Sequence, residues 1–408
     1  MIDPRAGGRH SDQETSPACV SAARTSYFRE VLRQTFSQRT ACLGLLWIGL
    51  LTIIAVLAPF LANSHPFLVS EKGALSSPLV AHLTPNDVIL LVASFAVPVI
   101  VTLGPVRLIF RLSLLALILA VVGVVSFVLI TPPKLTVFEQ YREARAEEQF
   151  DWVVMTPIPY SPRDYLRDAG NTGLQPPLSD PEHCHWLGTD MNGADVLSRM
   201  IYASRIALGI GLVATGIAMA IGILVGGVMG YFSGLLDIAG MRLVEIFEAV
   251  PTLFLLLTFV AFYGRSLYIM MMIIGITSWP IYARYTRAEF LKLREQEFVQ
   301  AAIASGVALP ALLLRHMLPN GIAPVLVAGS FGVASAILAE ATLSFLGLGL
   351  IDEPSWGQML NQAVQSSTFN WWLAAFPGGA IFLTVFSYNL IGEAFRDAID
   401  PLMNKPVT

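Results

Sequence analysis

Charge is scarce in this sequence. Only 13% of its 408 residues are Asp, Glu, Lys or Arg, against roughly 25% in a typical soluble domain, and 55% are hydrophobic. That balance excludes an ordinary soluble protein and leaves a polytopic membrane protein. The net charge of −4 offers no basic surface, so no nucleic-acid partner is expected. Cysteine is almost absent: Cys19, Cys42 and Cys184 are scattered without a CxxC pair, which excludes a disulfide framework. His183, Cys184 and His185 are consecutive, and three adjacent side chains do not easily converge on one ion, so they are read as structural and no metal is expected. Also missing are a Gly-x-x-x-x-Gly-Lys-Ser/Thr phosphate cradle, a Gly-x-Ser-x-Gly elbow and a His-Glu-x-x-His helix. The chain is therefore not expected to be an enzyme. The first residues are polar and Arg-containing rather than apolar, which argues against a cleaved signal peptide and leaves the first span as an anchor.

What is present is a series of long apolar runs. A helix needs about 20 apolar residues to cross the hydrocarbon core, and it satisfies its own backbone there. Runs at 42–62, 88–103, 112–130, 206–231, 243–263, 267–285, 322–345 and 376–395 predict an all-α protein with about eight spans. Pro98 interrupts the second. Arginines at 5, 9, 24, 29, 33 and 39 precede the first span, Arg107 and Arg111 lie in the next short turn, and Arg284, Arg287, Lys292, Arg294 and Arg315 cluster further on. Residues 347–375 contain no Lys or Arg. Placing the basic groups inside puts both termini in the cytoplasm and 131–205 outside. That outer segment carries Glu139, Glu143, Glu147, Glu148 and Asp151, then many prolines, and reads equally as a lid subdomain or a solvated connector.

Three carboxylates fall in or near spans, where charge is expensive and by default functional. Glu245 and Glu248 share a helical face, and the simplest reading is snorkelling or an ion pair with Arg242 or Arg287. Glu340 is a candidate for the translocation path. Gly222, Gly226, Gly227 and Gly230 recur every three to four residues, a pattern that permits close helix packing in lipid.

The most informative stretch is 298–320. Ala301 and Ala302 favour helix with almost no side chain, Gly306 permits a turn, and Pro310 suits the first turn of a new helix. A small-residue helix, a bend and a second helix between two spans read as a docking element for another protein, or as a plain polar loop.

The order of these residues resembles the "EAA" loop of ABC importer permeases: Glu-Ala-Ala, three residues, Gly, nine residues, then Ile-x-Leu-Pro. Gln300 stands at the Glu position and His316 at the Ile position, while Ala301, Ala302, Gly306, Leu318 and Pro319 match. Arg315-His-Met-Leu-Pro-Asn320 is similar to the form common in the peptide-importer branch. Further stretches resemble that branch in the right order: His185-Trp-Leu-Gly-Thr-Asp190, Gly193-Ala-Asp-Val-Leu-Ser-Arg199 with Ala194 for the usual Arg, Glu340 to Gly349, Pro354-Ser-Trp-Gly357, and Asn389 to Pro401. They point to the second, C-type permease of dipeptide and oligopeptide importers.

The resemblance implies a type I importer permease core whose loop at 286–320 docks on a separate ATPase through Phe298, Gln300, Ala301, Ala302, Gly306, Arg315, His316, Leu318 and Pro319. It implies a homologous second permease, two ATP-binding subunits that hold ATP and Mg, an extracytoplasmic substrate-binding protein, and no cofactor in this chain. The site would be the inner membrane. The implied organisation is a cytoplasmic segment at 1–41, the first span plus two additional spans at 42–131, an outer loop at 132–204, the permease core at 205–400 and a tail at 401–408. The two additional spans depart from the family pattern but, being even in number, preserve the sidedness of everything downstream, and they are expected to pack at the periphery. Nickel or another small solute is the alternative cargo. A secondary transporter is the rival of another class, weakened by the shortage of paired intramembrane charges.

Overall fold

The computed structural model describes residues 33–71, 73–102, 108–130, 138, 140–165, 174–179, 184–350, 353–366, 368 and 370–399. The principal helices are α1 (Arg39–Val56), α2 (Pro85–Thr102), α3 (Leu108–Leu129), α4 (Gln140–Ala146), α5 (Val196–Phe232), α6 (Gly234–Ala249), α7 (Thr252–Tyr263), α8 (Leu267–Arg294), α9 (Glu297–Ala304), α10 (Ala323–Phe345), α11 (Trp356–Gln365) and α12 (Trp371–Ile399). Among the described residues α1, α5, α8, α10 and α12 are each long and apolar enough to cross a bilayer. Helices α2 and α3 are shorter apolar helices along Pro85–Ile100 and Ser113–Leu129.

The expected straight span at 243–263 is instead the pair α6 and α7, bent by 77° at their junction. Val250 there is extended (φ −87°, ψ 121°) and is followed by Pro251, which has no N–H to continue the helical ladder and disfavours helical backbone in the residue before it. The pair makes at most one broken crossing.

The bundle is organised around α5 and α8, which pack against each other more extensively than any other two elements. At 37 residues α5 is roughly 55 Å long at 1.5 Å per residue, far more than the hydrocarbon core, so it projects beyond the membrane. Gly222, Gly226 and Gly230 lie along its contact with α8, as the glycine spacing predicts. A Cβ at Gly222 would overlap Tyr282, one at Gly226 would overlap the Ala283 carbonyl, and one at Gly230 would meet Phe290 and the Arg287 carbonyl. Gly227 faces the Phe290 ring with more room. Helix α10 packs on α12 and α5, and α1 closes the bundle against α12 and α5. There Trp47 Nε1 donates to Thr384 Oγ1 at 3.1 Å, and Gly44 approaches the Ser387 carbonyl.

The segment read as lid or connector is a folded subdomain. It joins 62–87 to 140–164 across the α2–α3 hairpin and contains a small sheet that apolar runs did not reveal. Strand β1 (Leu68–Glu71) pairs antiparallel with β2 (Ala74–Ser76) and with β3 (Trp152–Val154), in the order β2-β1-β3. Under it Arg142 forks onto Asp164 at 2.5 and 3.0 Å, and Ser64 donates to the same carboxylate at 2.5 Å. Tyr160 then lies against His185, with ring centroids 4.4 Å apart, joining the subdomain to the head of α5.

The hairpin itself is peripheral, α3 packing chiefly on α2, and α2 on α3 and α1. Its root is fixed firmly. Thr84 and Asp87 cap α2 reciprocally, the Thr84 N–H and hydroxyl reaching the Asp87 carboxylate at 2.8 and 2.7 Å with Pro85 at the first helical position. The same carboxylate pairs with Arg205 of α5, which also donates to the carbonyls of Ala55 and Val56 at the end of α1.

Gly226→Leu drives a side chain into the α8 backbone and is expected to destabilise the purified protein by about 1–3 kcal/mol or more. Gly216→Leu is its control, because nothing lies within 4 Å of a Cβ there. Thermal denaturation in detergent should separate the two variants; equal midpoints would remove the α5–α8 contact from its central place.

Candidate functional site

The loop predicted to dock a partner is a compact structure at the end of α8. Glu297–Ala304 is α9, and Gly306 follows at φ +74°, the left-handed conformation that lets its N–H reach Ile303 O at 3.0 Å and the next N–H, of Val307, reach Ala302 O at 3.1 Å. Leu309–Ala311 starts a second helical stretch with Pro310 in its first turn, and Leu312–Met317 continues it as a π-helix, a widened turn that recurs at functional sites. Leu318–Gly321 returns the chain to α10.

The loop is rigid from below and apolar on its outer side. Val299, Leu312 and Met317 are buried with Phe290 and Leu293 of α8, flanked by Ala302, Val307, Leu313, Leu318 and Tyr231. A Cβ at Gly321 would press on Leu293 and Glu289, so the loop's exit rests directly on α8. Outside, Phe298 is 38% exposed, Ile303 43%, Leu309 36% and Leu314 59%. Exposed apolar side chains grouped on one short loop are the kind of surface from which protein-interaction sites are built.

Of the sequence-predicted residues, Phe298, Gln300, Ala301, Gly306, Arg315 and Pro319 lie exposed on this loop, and Ala302, His316 and Leu318 are half-buried. Gln300 does more than replace a Glu. Its Nε2 donates to the Arg294 carbonyl at 2.8 Å, satisfying the open end of α8 with a bond that a carboxylate cannot make. Asn320 Nδ2 closes the far side by donating to His316 O at 2.6 Å. The exposed apolar residues Ile303, Leu309 and Leu314 were missed, because only position in the folded loop separates them from the buried Leu312 and Met317.

Ion pairs hold the neighbouring helices. Arg242 bonds Glu245 at 2.5 Å, as expected; Glu248 pairs with Arg284, and Arg287 with Asp237 of α6, rather than with each other. Glu340 is separate from the loop, on α10, 2% exposed, and accepts from Ser344 Oγ at 2.6 Å. The stretch 185–199 is structural: Asp195 caps α5 by accepting from Ser198 N–H at 2.7 Å and bonds His185 at 2.9 Å, while Asp190 pairs with Arg199 at 2.7 Å. Cys184 is exposed, His183 lies outside the described residues, and among the described residues no cluster of three or more His, Cys, Asp or Glu is placed to hold a metal.

With that geometry in place, similarity to known proteins becomes decisive. Residues 222–405 match the family of binding-protein-dependent transport system inner membrane components. The dipeptide transport system permease protein DppC of Alkalihalophilus pseudofirmus is 38% identical over 227 residues, 55% of this chain and 75% of that protein. The chain belongs to this permease family. A putative peptide permease of Brucella suis is 40% identical over 60% of this chain and 80% of its own length, and the oligopeptide permease OppC of Escherichia coli is 35% identical over 58% and 79%. Residues 26–78 match the N-terminal transmembrane domain of oligopeptide transport permease C. The permease family is one of multi-pass membrane subunits, not catalysts, and α9 with its π-helix lies wholly inside the matched region. Residues 79–221, which hold α2, α3 and most of the outer subdomain, lie outside both family matches.

Bulk on the exposed face of α9 is expected to block a partner without touching the layer beneath. Ala301→Trp is the cleaner variant, since Ala302 is packed against that layer; Gly306→Val adds strain of about 1–2 kcal/mol from its positive φ. Both should insert and purify normally yet fail to retain a protein partner that docks on this face. Retained co-purification by both would dismiss the loop as the docking element.

Proposed function

We propose that this chain is the second, C-type permease subunit of an ATP-driven importer and that its cargo is peptides. The observation that carries the reading is the loop from α9 to Gly321, buried on α8 along one side and exposing Phe298, Ile303, Leu309 and Leu314 along the other. The relatives named as dipeptide and oligopeptide permeases, each covered over three quarters of its length or more, support the cargo.

In this reading two ATPase subunits hold ATP and Mg, and this chain supplies the lever. Closure of the ATPases pulls on Phe298, Gln300, Ala301, Ala302 and Gly306, and on Arg315, His316, Leu318 and Pro319 in the second half of the loop. The pull passes through Met317 and Gly321 to Phe290 and Leu293, and so into α8. Because α8 is locked to α5, the pair moves as a body, which suits rigid-body rocking between inward- and outward-open states. A homologous permease completes the pathway, and Glu340, closed off by Ser344 in this conformation, faces it in another. The core is 205–400. The Arg- and Lys-rich end of α8 and both termini are cytoplasmic in the inner membrane. The outer subdomain receives a substrate-binding protein on the opposite side.

Proteoliposomes containing this chain, the second permease, both ATPases and the binding protein should accumulate a labelled dipeptide only with ATP. Accumulation of nickel without peptide would change the cargo; peptide uptake driven by a proton gradient without ATP would replace the mechanism.

A further inference from the structure

Helix α2 leaves a cavity of about 760 Å³ between itself and the core, within the roughly 300–1,000 Å³ range of ligand sites. Its lining changes with depth. The roof is polar: His65 and His82, whose rings stack at 3.9 Å, with Asn63, Asn86, Ser161, Arg163 and Glu353. Below the buried Asp87–Arg205 pair the walls are Ile89 and Leu90 of α2, Ile206 and Val213 of α5, and Leu267 and Met271 of α8. From Tyr202 to Val213 the α5 wall runs about three turns, or roughly 16 Å. The cavity therefore passes from the polar rim of the membrane well into its apolar depth.

Such a gap is not left empty in a bilayer. Apolar walls do not hold water, and protein interiors and their surroundings close-pack. A molecule with a polar head and a long apolar tail fills both halves at once. Among the described lining residues, the charges at the head are Arg163 and Arg205 against Asp87 and Glu353. His65 adds none at neutral pH, since burial, then His82, push it down to about 4. Lining groups of both signs at one head suit a zwitterion better than an anion.

We propose that this cavity binds one zwitterionic aminophospholipid of the bilayer, its phosphate beside Arg163, its ammonium beside Glu353, and an acyl chain between Ile89, Val213 and Met271. The lipid cements the α2–α3 hairpin, which has few protein contacts of its own, to the transport core. Ten of the lining residues, from His82 to Leu90 and from Phe138 to Arg163, come from the region between the first span and the head of α5 and lie outside the family matches, so the site is in part this chain's own elaboration. It does not depend on the cargo or on the ATPase reading.

Native mass spectrometry of the purified full-length chain, titrated with phosphatidylethanolamine or phosphatidylglycerol of the same acyl chains, tests the site. One phosphatidylethanolamine should be retained at a concentration about tenfold below that needed for phosphatidylglycerol, the scale of one charge-assisted hydrogen bond. Val213→Trp fills the apolar half and should lower retention about tenfold, by displacing buried methylenes. Glu353→Gln, at the exposed rim where folding is not at risk, should abolish the preference for the ethanolamine head. Equal retention of both lipids by the unaltered chain would overturn the proposal. So would unchanged retention and preference in both variants, or competition by soluble glycerophosphoethanolamine at the same concentration as the intact lipid, which would make this a water-soluble ligand's site.

Discussion

The structure depends on how closely α5 can approach α8. Three glycines, at 222, 226 and 230, present no side chain toward α8, so Tyr282, Ala283, Thr286 and Phe290 rest on the α5 backbone itself there. In lipid there is no hydrophobic drive between helices, and such small-residue contacts let dispersion supply the association. One end of the pair bears the α9 loop through Phe290 and Leu293; the other bears Arg205, which ties α1, α2 and α5 together. The loop and the Arg205 junction are therefore joined through one closely packed pair of helices.

Charge near the membrane follows the same economy of contact. Arg205, Arg284 and Arg287 each have a carboxylate partner on another helix, so each ion pair also fixes a helix position. These pairs lie near helix ends or the polar rim. Glu340 is the exception: its partners are hydroxyls, Ser344 on its own helix and Ser355 ahead of α11. A carboxylate held that deep among hydroxyls is costly, and that cost is the physical ground for proposing a role in transport.

Much of this was legible in the sequence, for stated physical reasons. Five of the eight expected spans follow from apolar length, while the runs at 88–103 and 112–130 form shorter helices; the α5–α8 contact follows from glycine spacing, and the loop's turn from Gly306, whose φ of +74° is what its residue type allows. The break between α6 and α7 was also written there, in Pro251, but apolar composition runs straight through it and hides the bend. Three strands of three or four residues carry too little periodicity to see, and they assemble only because 62–87 and 140–164 meet across the hairpin. Long-range pairs such as Asp87 with Arg205, and the π-helix at Leu312–Met317, are consequences of packing that no local pattern encodes.

The central claim is that the α9 loop is the surface on which the ATPases act. A photo-reactive amino acid at Ile303, exposed on α9, and another at Val364, exposed on α11, separate the two ends of the molecule in the assembled importer. Illumination should join position 303, and not 364, to an ATPase subunit. An ATPase adduct from 364 with none from 303 would contradict the account.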